Sequence, residues 1–195
     1  MLARLRERAP GLRLWIDTPD GDGERKIQDG LFDIGTWYAD RVPATLHATE
    51  LFVDRYQGVV HPGHALASVA GRVTLDDYLR YPHLGVDLPG MRQDPLQAAL
   101  DGLGVERETW ISTPSFLPTF PPLAQSSLIA TVPSHLVAMA RRMGFELATF
   151  DLPFETGPLP YRMFWSERTD RDAASIWLRS ILVEAFGSSH ARSRS

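Results

Sequence analysis

Cysteine is absent from this 195-residue sequence, which excludes disulfide frameworks, thiolate metal sites and cysteine nucleophiles together. Long hydrophobic runs are absent as well: none approaches the ~20 apolar residues that a membrane span needs. The opening stretch, Met1-Leu2-Ala3-Arg4-Leu5-Arg6-Glu7-Arg8, interleaves charges with apolar residues and lacks the apolar segment of an export signal. The expectation is a cytoplasmic protein without membrane contact. Excess charge of one sign is also missing. The 20 Lys+Arg stand against 24 Asp+Glu for a net charge of −4, which leaves no strong electrostatic footprint for nucleic acid. What is present is 44% hydrophobic and 23% charged residues, an ordinary globular balance with enough apolar material for a core.

Motifs that would carry catalysis are lacking too. No serine sits in a Gly-x-Ser-x-Gly elbow, and Ser115, Ser126 and Ser127 read as helix caps or ligand donors. Gly21-Asp22-Gly23 lacks the next glycine and the strand-to-helix setting of a dinucleotide loop. His61 and His64 lie three apart in His61-Pro62-Gly63-His64, but no third ligand follows at a recognisable spacing. They read as a solvated turn. His83 opens a buried strand with no nucleophile beside it, so a structural role is expected. Asp76 and Asp77 fall in a helix first turn, where the macrodipole accounts for them. The reading expects no enzyme, no metal and no cofactor.

Helices and strands alternate along the chain. A helix reaches Ala9 and stops at Pro10-Gly11. Leu12, Leu14 and Ile16 then alternate with Arg13 and Trp15, the period of a strand. A helix from Glu24 ends at Gly30, and Phe32–Trp37 reads as a buried strand. Thr49–Val60 reads as one long strand. Thr74 caps a helix over Leu75–Leu79. His83–Val86 is a strand, Pro95–Leu103 a helix ended by Gly104, and Thr109–Ser112 a strand. Pro121–Gln125 is helical, Leu128–Val132 a strand, and the next helix runs from Pro133 to Met143. Phe145–Leu152 and Tyr161–Trp165 are strands, and Ala173–Phe186 is the last helix. Such alternation points to α/β architecture with parallel sheets. Ser188–Ser195 reads as a disordered tail.

Aromatic residues are the most informative. Trp37-Tyr38 end one strand and run into a loop, and Phe116 and Phe120 flank Pro118 on a strand-to-helix connection. Open α/β sheets keep ligands at such strand ends, but packing between lobes would place the same residues there.

In order, several motifs carry a resemblance. They are Leu5-x-x-x-Ala9-Pro10-Gly11-Leu12-x-Leu14, Ile27-x-x-Gly30-x-x-Asp33-Ile34-Gly35, and Glu50-Leu51-Phe52-x-Asp54-x-Tyr56. His61-Pro62-Gly63-His64-Ala65-Leu66-Ala67 and Thr74-Leu75-x-x-Tyr78 come next. Leu128-Ile129-Ala130-Thr131-Val132-Pro133 and Phe164-Trp165-x-x-Arg168-x-x-Arg171-Asp172 complete the set. To about Phe186 the chain resembles the effector-binding domain of LysR-type transcriptional regulators. Pro82-His83-Leu84-Gly85-Val86 and Thr113-Pro114-Ser115-Phe116 resemble the branch that senses aromatic acids or flavonoids. The resemblance implies a type 2 periplasmic-binding-protein-like α/β fold with two mainly parallel-sheeted lobes joined by two crossover strands. Lobe I is expected at 1–60 plus 161–187 and lobe II at 61–160. It also implies a small aromatic or phenolic effector in the cleft between lobes. The contact residues carried over are Thr36, Trp37, Tyr38, Met91, Gln93, Ser115, Phe116, Thr131 and Phe164.

There are departures. Trp37 stands where the branch usually has a small residue. Gln93 and Ser115 stand where aromatic-acid sensors carry histidines, and a neutral amide and hydroxyl bind a carboxylate less strongly than a charged partner. The family's winged helix-turn-helix, and the strand expected before the first helix, are not in the sequence. The implied function is therefore inducer binding and oligomerisation, as homodimer or homotetramer, with DNA contacted only through a separate N-terminal domain. A lobe short of a central strand would carry unpaired sheet edges and be unstable or exchange with a partner. A transport solute-binding protein and an enzyme on the same scaffold are the alternatives.

Overall fold

The computed structural model describes residues 2–18, 21–69, 72–88 and 94–191. The chain divides into two compact units, residues 1–53 with 160–195, and residues 54–159. The first unit opens with α1 (Leu2–Arg8), α2 (Gly23–Gln28), β1 (Gly35–Tyr38) and β2 (His47–Asp54). The second holds β3 (Tyr56–Val60), α3 (Leu75–Arg80), β4 (His83–Val86), α4 (Pro95–Leu103), β5 (Thr109–Thr113), α5 (Phe120–Leu123), β6 (Ile129–Pro133), α6 (Ser134–Arg142) and β7 (Ala148–Phe150). The chain then returns through β8 (Leu159–Trp165) to α7 (Glu167–Asp170) and α8 (Ala173–Ala191).

The second unit is built on a five-stranded sheet in the order β5-β4-β6-β3-β7. β4 runs parallel to β5 and β6, while β3 is antiparallel to β6 and β7. All five residues of β6, Ile129-Ala130-Thr131-Val132-Pro133, are buried, as a mainly apolar strand with neighbours on both sides requires. Val59, Leu84, Phe120, Leu123, Leu128, Ala130 and Val137 form the core around it. The helices begin where their caps dictate. Thr74 and Asp77 make a reciprocal capping box on α3. Asp94 caps α4, Pro95 sits in its first turn, and Gly104 closes it at φ 67°, a left-handed value suited to glycine.

The first unit carries a three-stranded sheet ordered β1-β8-β2. Strand β1 is antiparallel to β8, so the sheets are mixed where mainly parallel ones were expected. Ile27, Leu46 and Phe164 make its core, with Phe32, Trp37, Ala39 and Ala48 packed against them.

Four further expectations change. Residues 12–16 are not a strand. Leu12 and Leu14 are 41% exposed, and Trp15 and Ile16 are 90% and 83% exposed. Alternation marks a half-buried strand only where a neighbouring strand accepts its backbone, and among the described residues none does. The long strand expected over Thr49–Val60 breaks at Arg55, and Tyr56–Val60 pairs in the second unit's sheet rather than the first. The tail expected to be disordered from 188 continues as helix to Ala191, and 192–195 lie outside the described residues. The His61–His64 turn is not simply solvated. His64 is 5% exposed, and its Nδ1 accepts the Leu66 N–H at 3.0 Å while Nε2 donates to the Ser127 carbonyl at 3.1 Å.

The break at Arg55 is held by Asp54. Its carboxylate accepts from the Arg55 N–H at 2.8 Å, the His135 N–H at 3.1 Å, His135 Nδ1 at 2.5 Å, and the Ser134 hydroxyl. Burial alone would raise the pKa of this carboxyl, but the hydrogen bonds from His135 and Ser134, joined by the two backbone donors, bring it down to about 2. The Ser134 hydroxyl is turned to the carboxylate, so the trio caps the start of α6.

Candidate functional site

A small cavity in the second unit is lined by Tyr56, Val86, Leu88, Asp94, Leu96, Arg107, Phe116 and Thr131. Each wall has a local cause. Tyr56 opens β3, and Thr131 sits mid-strand in β6 at 4% exposure. Asp94 and Leu96 come with the start of α4, and Phe116 with the connection after β5. The cavity encloses about 10 Å³, room for about one water molecule.

Its polar groups are linked. Asp94 Oδ1 accepts the Leu96 N–H at 3.0 Å and the Tyr56 hydroxyl at 3.3 Å. The Tyr78 and Thr131 hydroxyls lie 2.8 Å apart, and the positive charge of Arg107 acts on the Tyr78 phenol. Burial raises the Tyr78 pKa further above its ordinary value, so the phenol stays neutral. Beneath it, His83 is wholly buried and donates from Nε2 to the Tyr78 carbonyl at 2.9 Å, while Nδ1 is buried without a partner among the described residues. Burial drives the His83 pKa down to about 4, with Arg107 adding to the shift against the opposing bond to Tyr78. The imidazole is therefore a neutral structural support.

The cavity thus has a cation, a carboxylate, a hydroxyl and an aromatic ring in its lining. Such groups can hold an oxygen-bearing aromatic molecule. Of the residues expected to contact ligand, Phe116 and Thr131 come together here. Ser115 is half-buried beside Phe116, and its carbonyl accepts the Thr113 hydroxyl at 2.9 Å. Met91 and Gln93 lie outside the described residues.

The other expected residues belong to the first unit. Thr36 is exposed on β1, and the Tyr38 hydroxyl donates to Asp40 at 2.6 Å. Trp37 stacks on Phe164 with centroids 4.2 Å apart and planes 14° from parallel. A side chain at Gly35 would meet the Trp37 ring at 2.1 Å, so the indole lies over that glycine. Phe164 has no exposed surface and acts as a core residue of its unit. Sequence reasoning missed Tyr56, Tyr78, Asp94 and Arg107 as site residues. An aspartate directly before Pro95 is the signal that could have marked Asp94 as a helix cap, but nothing in the sequence separates Arg107 from other surface arginines.

Comparison with known proteins identifies the family of the fold. The family model described as LysR substrate binding domain matches residues 1–187. The transcriptional activator NagR of Ralstonia is 25% identical over 95% of this chain, which spans 61% of that protein. The transcriptional regulator SyrM of Rhizobium etli is 26% identical over 95% of the chain, which spans 54% of SyrM. The chain therefore covers less than two thirds of these relatives. The crystal structure of the regulatory domain of MexT, a transcriptional activator in Pseudomonas aeruginosa, is 29% identical with a TM-score of 0.76, covering 94% of this chain and 89% of MexT's domain. A transcriptional regulator from Vibrio parahaemolyticus shares the fold at a TM-score of 0.84 and 22% identity, over 100% of this chain and 89% of its own. The described relatives are transcriptional regulators, which favours neither a transport protein nor an enzyme. The chain belongs to the LysR substrate-binding domain family and is the effector-binding domain of a LysR-type regulator.

Proposed function

We propose that the effector is a small aromatic or phenolic molecule received by the Tyr56–Asp94–Arg107–Thr131 pocket of the second unit. Its ring lies against Phe116, and its oxygen substituents meet Arg107, Asp94 and Thr131. The observation that carries this reading is the convergence of a cation, a carboxylate, a hydroxyl and an aromatic ring on one cavity. Arg107 supplies the charged partner that Gln93 and Ser115 lack, so an aromatic acid and a phenol are both accommodated.

A cavity of about 10 Å³ is far smaller than such a ligand, whose pocket occupies a few hundred Å³ in typical sites. Binding must therefore draw on a more open conformation, and the effector shifts the population toward it. That shift is the signal which, in the intact regulator, reaches a DNA-binding domain outside this chain. The same reading makes the protein a non-enzymatic, cytoplasmic regulator that works as a homodimer or homotetramer.

Thermal-shift screening against aromatic acids and phenols tests it. A ligand at a hundred times its Kd stabilises by about 2.7 kcal/mol, which moves the melting temperature by several degrees. Absence of stabilisation by every member of the panel contradicts the proposal.

A further inference from the structure

We propose that His47, Glu167 and Asp170 form a site for a borderline divalent cation of the zinc, cobalt or nickel class. The three side chains each offer one ligand atom, and these atoms lie within 4.8 Å of one another. His47 is the first residue of β2, while Glu167 and Asp170 begin and end α7. Their i,i+3 spacing puts both carboxylates on one side of that single turn. One imidazole with two carboxylates is a donor set that zinc-class ions accept, at bond lengths of about 2.0–2.2 Å.

The arrangement is held from behind. The Trp165 indole N–H donates to Asp170 Oδ1 at 2.8 Å, which fixes the carboxylate and leaves Oδ2 for a cation. The His47 ring stacks on Trp165 at 5.8 Å with planes 17° apart. Arg179, 8% exposed, lies 4.5 Å over the Trp165 ring and donates to the Thr169 and Asp170 carbonyls at 3.0 and 2.8 Å. With a further bond to the Ser175 hydroxyl at 2.9 Å, it braces the backbone of α7 from behind. Supports of this kind orient metal ligands and set their affinity. The His47 Nε2 to Glu167 Oε2 distance is 2.6 Å. A cation entering between them needs to part these atoms to about 3 Å, which the exposed Glu167 side chain allows. The exposed rim leaves the other coordination positions to water.

The test uses chelator-stripped, tag-free protein titrated calorimetrically with Zn²⁺, and with Co²⁺ followed by its visible absorption. The expected result is one ion per chain. His47→Ala, Glu167→Gln and Asp170→Asn should each weaken binding tenfold or more, while His61→Ala leaves it unchanged. Mg²⁺, which prefers an all-oxygen shell, does not compete. The Glu167→Gln change, on an exposed side chain, leaves the fold intact and keeps the test decisive. Absence of binding, or one ion bound equally well by all three variants, overturns the proposal.

Discussion

Arg107 and His83 show how far a single residue's role depends on neighbours distant in sequence. Arg107 lines the cavity with Thr131, and its charge acts on the Tyr78 phenol that bonds Thr131. His83, buried beneath Tyr78, shapes the acid response of the fold. Its folded pKa of about 4 lies below the ordinary 6.5, so below pH 6.5 the unfolded chain binds the proton first. Stability is then lost as pH falls from 6.5 toward 4, by about 3 kcal/mol. His64, also depressed by burial, acts in the same direction. Asp54, held at about 2 against 3.8, adds a second loss of about 2 kcal/mol as pH falls from 3.8 toward 2. Urea unfolding measured across this range checks both. The His83→Gln variant should lose most of the dependence between pH 6.5 and 4; an unaltered dependence would contradict the assignment.

At the scale of elements, the cap of α4 does two things at once. Asp94 satisfies the Leu96 N–H and also receives the Tyr56 hydroxyl, so the helix start and the pocket wall are one structure. Asp94→Ala is expected to cost about 1 kcal/mol through the lost cap, with more from the unpaired Tyr56. Chemical denaturation reads the stability loss, and a wild-type midpoint would mean that the cap carries no weight. Elements with such local signals were legible in the sequence: Thr74 before α3, Pro95 and Gly104 around α4, Pro133 before α6. Elements defined by long-range pairing were not. Leu12–Ile16 alternates like a strand, yet no described strand pairs with it. Thr49–Val60 reads as continuous because apolar content does not reveal that Arg55 separates two sheets.

For the whole molecule, order and spacing of weak motifs identified the family where no single motif could, and the family model spans 1–187. The site was legible only in part. Phe116 and Thr131 line the cavity, but Arg107 and Asp94 meet there through the fold rather than through any spacing. His47 and Glu167, 120 positions apart, illustrate the same limit. The account's central claim is that the second unit's pocket reads the effector through Arg107 and Thr131. Calorimetric affinity for a stabilising aromatic ligand, compared between the wild-type chain and the Arg107→Gln and Thr131→Val variants, tests it most directly. The account predicts at least tenfold weaker binding in the first variant and several-fold weaker binding in the second, with both still folded. Unchanged affinity in both would contradict it.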